Sequence, residues 1–184
     1  MSDVRPAAGP EAGRWLLAAG ADWWDLVRFG PPGFDAYVRV AFVEDAEGRD
    51  RSLGTTLATL AVCTSTPATA YAAVWEGWGG APVPPAPRIP IPNREMLLFT
   101  GRVDVLADAP ALAWYGSARG IYQPPHLVWP EDRAWCLACE VDEEVEFTVG
   151  GHDGVAEALA RALPGAVRSV RYGEPAPLYR DRDG

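Results

Sequence analysis

Few residues in this chain have the chemistry for catalysis. It has three cysteines and two histidines. Trp135-Cys136-Leu137-Ala138-Cys139 has the spacing of a redox dithiol, a mechanism that needs its first thiol at a helix N-terminus, where the dipole lowers the pKa. Here the pair lies inside a β-type run continuing to Glu140-Val141-Asp142, whose carboxylates would raise a thiol pKa. Residues three apart on a strand also point to opposite faces. Both read as buried structural cysteines. Cys63, His126 and His152 could join them around a metal, but there is no second closely spaced ligand pair of the zinc-site kind. No metal and no cofactor are expected.

Gly150-Gly151-His152-Asp153-Gly154 falls between a strand and a helix, where backbone N–H groups can hold a phosphate. It matches neither Gly-rich fingerprint, and Asp153 would repel the anion. It reads as a tight turn followed by an N-cap. Gly116-Ser117-Ala118-Arg119-Gly120 lacks the G-x-S-x-G of a nucleophile elbow.

What remains is polar groups set among tryptophans. Glu76 stands between Trp75 and Trp78, Arg94 between Asn93 and Glu95, and Asp132-Arg133 between Trp129 and Trp135. All fall at expected strand ends. If they meet, they make an aromatic-walled cleft with carboxylates and guanidinium groups. Such a cleft suits a small polar ligand, a sugar handled by paired carboxylates, or a protein partner anchored by Trp and Arg. The structural alternative is that these charges pair and pin loops over a Trp-rich core.

The elements that must position them follow from periodicity and caps. Asp22 caps a helix that Gly30-Pro31-Pro32 stops. Tyr37 to Val43 reads as an interior strand, Leu53 to Ala61 as a helix, and Ala70 to Trp75 as a second buried strand. Six prolines between Ala81 and Pro92 read as a flap or binding loop. Met96 to Val103 is a third strand, and Asp104 to Pro125 a helical turn and loop. His126 to Trp129 and Ala134 to Val141 form a hairpin about Pro130-Glu131-Asp132-Arg133. Its small residues Ala134, Cys136 and Ala138 leave room for a helix. Asp153 caps the last helix, and Val167 to Tyr172 is the final strand. Residues 1–12 read as a flexible arm, 13–173 as a single α+β domain, and 174–184 as a flexible tail. The sheet is mixed or largely antiparallel, of five or six strands, with helices packed on one side.

The chain has 184 residues, 48% hydrophobic and 22% charged, enough for one core. Its charge of −9 argues against nucleic acid and anionic membrane surfaces. The uncharged run from Ser52 to Trp75 holds eight Ser or Thr and a proline, so it is no membrane span. The first residues lack a signal-peptide pattern, and an odd cysteine count suits a reducing cytoplasm.

Gly30-Pro31-Pro32-Gly33-Phe34, Trp75-Glu76-Gly77-Trp78-Gly79, Pro92-Asn93-Arg94-Glu95-Met96 and Trp129-Pro130-Glu131-Asp132-Arg133-Ala134-Trp135 together resemble an uncharacterised family of hypothetical proteins from GC-rich, actinobacterial-type genomes. The resemblance spans Trp24 to Tyr172. It implies a shared single domain and a cytoplasmic setting, and no reaction. Cys139 departs from the pattern, which counts against a two-cysteine mechanism. The expected function is a non-catalytic protein-binding module, inhibitor- or immunity-like, with a basic partner. The alternative is a small polar ligand-binding protein or hydrolase using carboxylates in the Trp-lined cleft. The site residues are Trp75, Glu76, Trp78, Arg94, Trp129, Asp132, Arg133 and Trp135.

Overall fold

Asp22 caps the first clear helix as its composition predicts, its carboxylate accepting from Trp24 N over 2.9 Å. Gly30, at φ 75°, ends that helix where a side chain would be strained. The computed structural model describes residues 4–47, 50–77, 85–107, 124–152 and 154–180. The chain is a single α+β domain. Its helices are α1 (Arg14–Ala18), α2 (Trp23–Phe29), α3 (Ser52–Leu60) and α4 (Val155–Ala162). Its strands are β1 (Arg5–Pro6), β2 (Ala36–Ala41), β3 (Ala70–Trp75), β4 (Arg88–Ile91), β5 (Arg94–Gly101), β6 (Leu127–Pro130), β7 (Trp135–Ala138), β8 (Glu146–Gly151) and β9 (Val167–Val170).

Among the described residues these strands form one nine-stranded sheet in the order β1-β5-β3-β6-β7-β8-β2-β9, with β4 also on β5. Every pairing is antiparallel. The strands beyond the expected five or six include two short ones on the far side of β5. There β1 pairs Thr100 and Phe99, while β4 pairs Arg94 to Leu97. Pro90 fits in β4 because an edge strand leaves alternate N–H groups unused. Thus the proline-rich stretch, expected to be loop, is strand over Arg88–Ile91, and residues 78–84 lie outside the described set.

The sheet is covered on both faces, not one. On one face α3 and α4 bury Leu53, Leu57, Leu60 and Leu159 against Val38, Val128, Leu137 and Phe147. On the other, α1 and α2 bury Leu16, Leu26 and Val27 against Leu127, Trp129, Cys136 and Ala138. The small residues of β7 permit this second layer. A Cβ on Gly30 would come within 3.0 Å of Cys136 Sγ. Periodicity fixes which side of a helix is apolar, not which side of the sheet it covers. No described helix is long and apolar enough to cross a membrane.

Both chain ends lie on the domain as far as they are described. The arm contributes β1, and Ala7 N donates to Leu98 O over 3.0 Å. In the tail, Glu144 N donates to Leu178 O over 2.7 Å, and Arg28 donates to Ala176 O over 3.1 Å.

Candidate functional site

Antiparallel pairing decides which strand ends share a rim. Trp75 ends β3 where β5 begins at Arg94, β6 begins beside His126, and β7 runs out into Cys139-Glu140. Trp75, Glu76 and Arg94 therefore come together. The β4–β5 hairpin turns over Pro92-Asn93, with Asn93 at φ 62°, the conformation a Pro-Asn turn favours. This turn walls a hollow of about 450 Å³ lined by Trp75, Glu76, Pro92, Arg94 and Glu95.

Charge in the hollow is arranged in two tiers. On its inner side, Arg94 Nε donates to buried Glu140 Oε1 over 2.6 Å, and its guanidinium lies 5.3 Å from the Trp75 ring and 5.7 Å from Trp23. Beside it His126 is buried, its Nδ1 accepting from Trp75 N over 3.0 Å, which places its proton on Nε2. Burial, with a smaller push from the Arg94 charge, lowers His126 to about 3, so it is neutral at ordinary pH. At the mouth, Arg88 Nε lies 2.7 Å from Glu76 Oε2 and 3.6 Å from Glu95 Oε1.

The other predicted residues do not join them. Pro130 pairs Ala70 at the opposite end of β3, so the turn holding Asp132 and Arg133 sits there too. A six-residue strand separates Glu76 from Asp132, roughly 20 Å at about 3.3 Å per residue, too far for a carboxylate pair working on one bond. Asp132 holds a loop: it accepts from Thr64 Oγ1, Ser65 N and Ser65 Oγ, each over 2.7 Å, and from Ala134 N over 3.1 Å. Partial burial alone would raise its pKa, but the bonds from Ser65, Thr64 and Ala134 win and lower it. Arg133, at φ 57°, packs its guanidinium 5.3 Å from the Trp15 ring. Trp129 is buried on the α1–α2 face, stacked on Tyr71. Trp135 is buried on the opposite face and donates Nε1 to Leu60 O over 3.0 Å. Trp78 lies outside the described residues.

The residues that sequence reasoning missed are in the acidic turn Glu140-Val141-Asp142-Glu143-Glu144. Besides holding Arg94, it supplies Glu143 Oε1 to two guanidinium groups, Arg28 at 2.7 Å and Arg39 at 2.5 Å. Arg39 is fully buried in β2 and also donates to Glu146 Oε1 over 3.0 Å and Thr148 Oγ1 over 2.8 Å. Arg168 on β9 forks onto Glu146 from outside. Burial pushes the Glu143 carboxyl up, against the pull of Arg39 and Arg28. The signal was present: Arg39 inside an otherwise apolar strand needs a buried carboxylate, and residues 140–144 are the densest source.

The cysteines lie as their spacing requires, Cys136 on the α1–α2 face and Cys139 on the other. Burial raises both thiols far above their ordinary range. Gly150 and Gly151 make room for packing: a Cβ there would strike the Tyr37 ring at 2.6 Å and Val155 at 2.9 Å respectively. Asp153, the expected helix cap, is outside the described residues. Among the described residues no group of three or more His, Cys, Asp or Glu could hold a metal ion. No family model, curated protein or solved structure matches the chain.

Proposed function

We propose that this protein is a non-catalytic binding domain, and that the hollow at Trp75, Glu76, Arg94 and Glu95 receives a cationic side chain of a protein partner. The observation that carries the reading is at the mouth. Among the described residues Glu76 and Glu95 share one exposed guanidinium, Arg88, which leaves one more negative than positive charge there. Arg94 cannot supply the balance, because Glu140 already engages it. A partner lysine or arginine entering beside Trp75 would restore neutrality and gain a half-buried indole as a wall. The chain's −9 charge favours encounter with a basic partner at a distance.

The reading is tested by a photo-crosslinking residue in place of Pro92, exposed at the hairpin tip, with a control at Glu157 on α4. A discrete adduct in cells from position 92 and none from position 157 is the expected result. Equal labelling from both positions would remove the support for this face.

A further inference from the structure

Arg88, which shares the mouth of the Trp75 hollow with Glu76 and Glu95, also lines a second hollow. This one, of about 340 Å³, lies between α1 and β4 and is walled by Pro10, Arg14, Leu17, Arg88, Ile89 and Pro90. Pro90 lines the hollow at Trp75 as well, so the two are neighbours along β4. Local sequence sets this up. Gly13 lets the start of α1 close on β4, since a Cβ there would strike Ile89 Cδ1 at 2.2 Å. One helical turn on, Leu17 is left at the surface, one of three large apolar side chains exposed among the described residues. Among the described strands β4 pairs β5 alone, and Pro90 has no N–H to offer a further strand. A chain crossing this edge is therefore held mainly by its side chains.

The two hollows differ in chemistry. Glu76 and Glu95 stand at the first, whereas no described carboxylate lines the second. The two cations of the second are already engaged, Arg88 by Glu76 at 2.7 Å and Arg14 by Glu11 at 3.6 Å. A basic side chain entering there would meet two guanidinium groups and find no partner. An acidic one would have to compete with Glu76 and Glu11. An apolar one is matched by Pro10, Leu17, Ile89 and Pro90, and it takes Leu17 out of water.

We propose that the partner segment received at Trp75 carries an apolar side chain two or three positions from its basic residue, and that the hollow at Leu17 receives it. This rests on the reading of the Trp75 hollow as the seat of that basic residue. The spacing follows from the strand: Arg88 and Pro90 are two residues apart, roughly 7 Å, which an extended chain covers in two residues. Leu17 then sets specificity. Many basic segments are drawn to the acidic mouth, and those with the apolar neighbour are retained.

The test places a benzoylphenylalanine crosslinker at position 92 or position 17 of the full chain in cells, and sequences the partner peptide in each adduct by mass spectrometry. Both positions should label one segment of one protein. The residue caught from position 17 should be apolar, two or three positions from a lysine or arginine. Leu17→Gln, neutral and compatible with the helix, should lower the yield of the position-92 adduct at least about threefold, with circular dichroism unchanged. A position-92 adduct that Glu76→Gln/Glu95→Gln abolishes and Leu17→Gln leaves intact would overturn this inference while the reading at Trp75 stands. A charged residue caught from position 17, or a different protein labelled there, would overturn it equally. No adduct from position 92, or one indifferent to all three substitutions, would overturn both.

Discussion

Arg94 and Glu140 are 46 positions apart and meet over 2.6 Å, tying the β4–β5 hairpin to the strand end beyond β7. Glu140 is fully buried at its side chain and Arg94 nearly so, at 19% exposure. Removing one partner of such a pair leaves a charge in poor solvent, which costs about 3–5 kcal/mol. Glu140→Ala should lower the unfolding free energy by about 3 kcal/mol in urea with an unchanged slope. A loss under about 1 kcal/mol would show that water reaches the pair.

The tail contributes to stability from its first residues. Glu174 lies 3.6 Å from Arg168, and Ala176 O accepts from Arg28, so both complete the charged network around Glu143 and Glu146. Deleting the residues after Gly173 should lower the melting temperature by more than about 4 °C. An unchanged melt would mean that the tail contacts add nothing.

His126 makes stability depend on pH. Its folded value of about 3 lies below the roughly 6.5 of an unfolded histidine, so the unfolded state takes up a proton first on acidification. The contribution is full above about pH 6.5 and is lost as pH falls toward 3, with a slope of up to about 1.4 kcal/mol per unit. Between pH 7 and 5, wild type should lose more stability than His126→Asn, whose carbonyl can still accept from Trp75 N. Equal losses would contradict a neutral buried imidazole.

At the other end of the sheet the effects should be structural only. Asp132→Ala should cost about 1–2 kcal/mol through the lost bonds to Thr64, Ser65 and Ala134. Arg133→Gly should cost less than Arg133→Ala, because both lose the Trp15 contact but glycine relieves the positive φ. The reverse order would mean that backbone strain at this turn is negligible.

Periodicity and caps made much of the fold legible. Ala70–Trp75 is a strand over the span its sequence indicates, Asp22 caps α2, and the two cysteines face opposite ways. The site was harder, because local pattern does not say which strand ends share a rim. Trp129 and Trp135 flank one turn yet bury on opposite faces, and only the pairing of β6 with β3 separates Asp132 from Glu76. Pro90 obscured β4 because proline weighs against central strands, while an edge accepts it. Glu140-Val141-Asp142 read as the continuation of a strand, and the partners that make 140–144 a buried acidic turn, Arg28, Arg39 and Arg94, are each remote in sequence.

The claim that Glu76 and Glu95 serve recognition is tested most directly by affinity capture from lysate, with wild type and Glu76→Gln/Glu95→Gln as baits. Both carboxylates are at least a quarter exposed, at 27% and 49%, so the variant should melt within a few degrees of wild type. The account predicts that wild type retains a basic protein at low salt, and that the folded variant retains little of it. A folded variant that captures the same protein in equal yield would contradict the account.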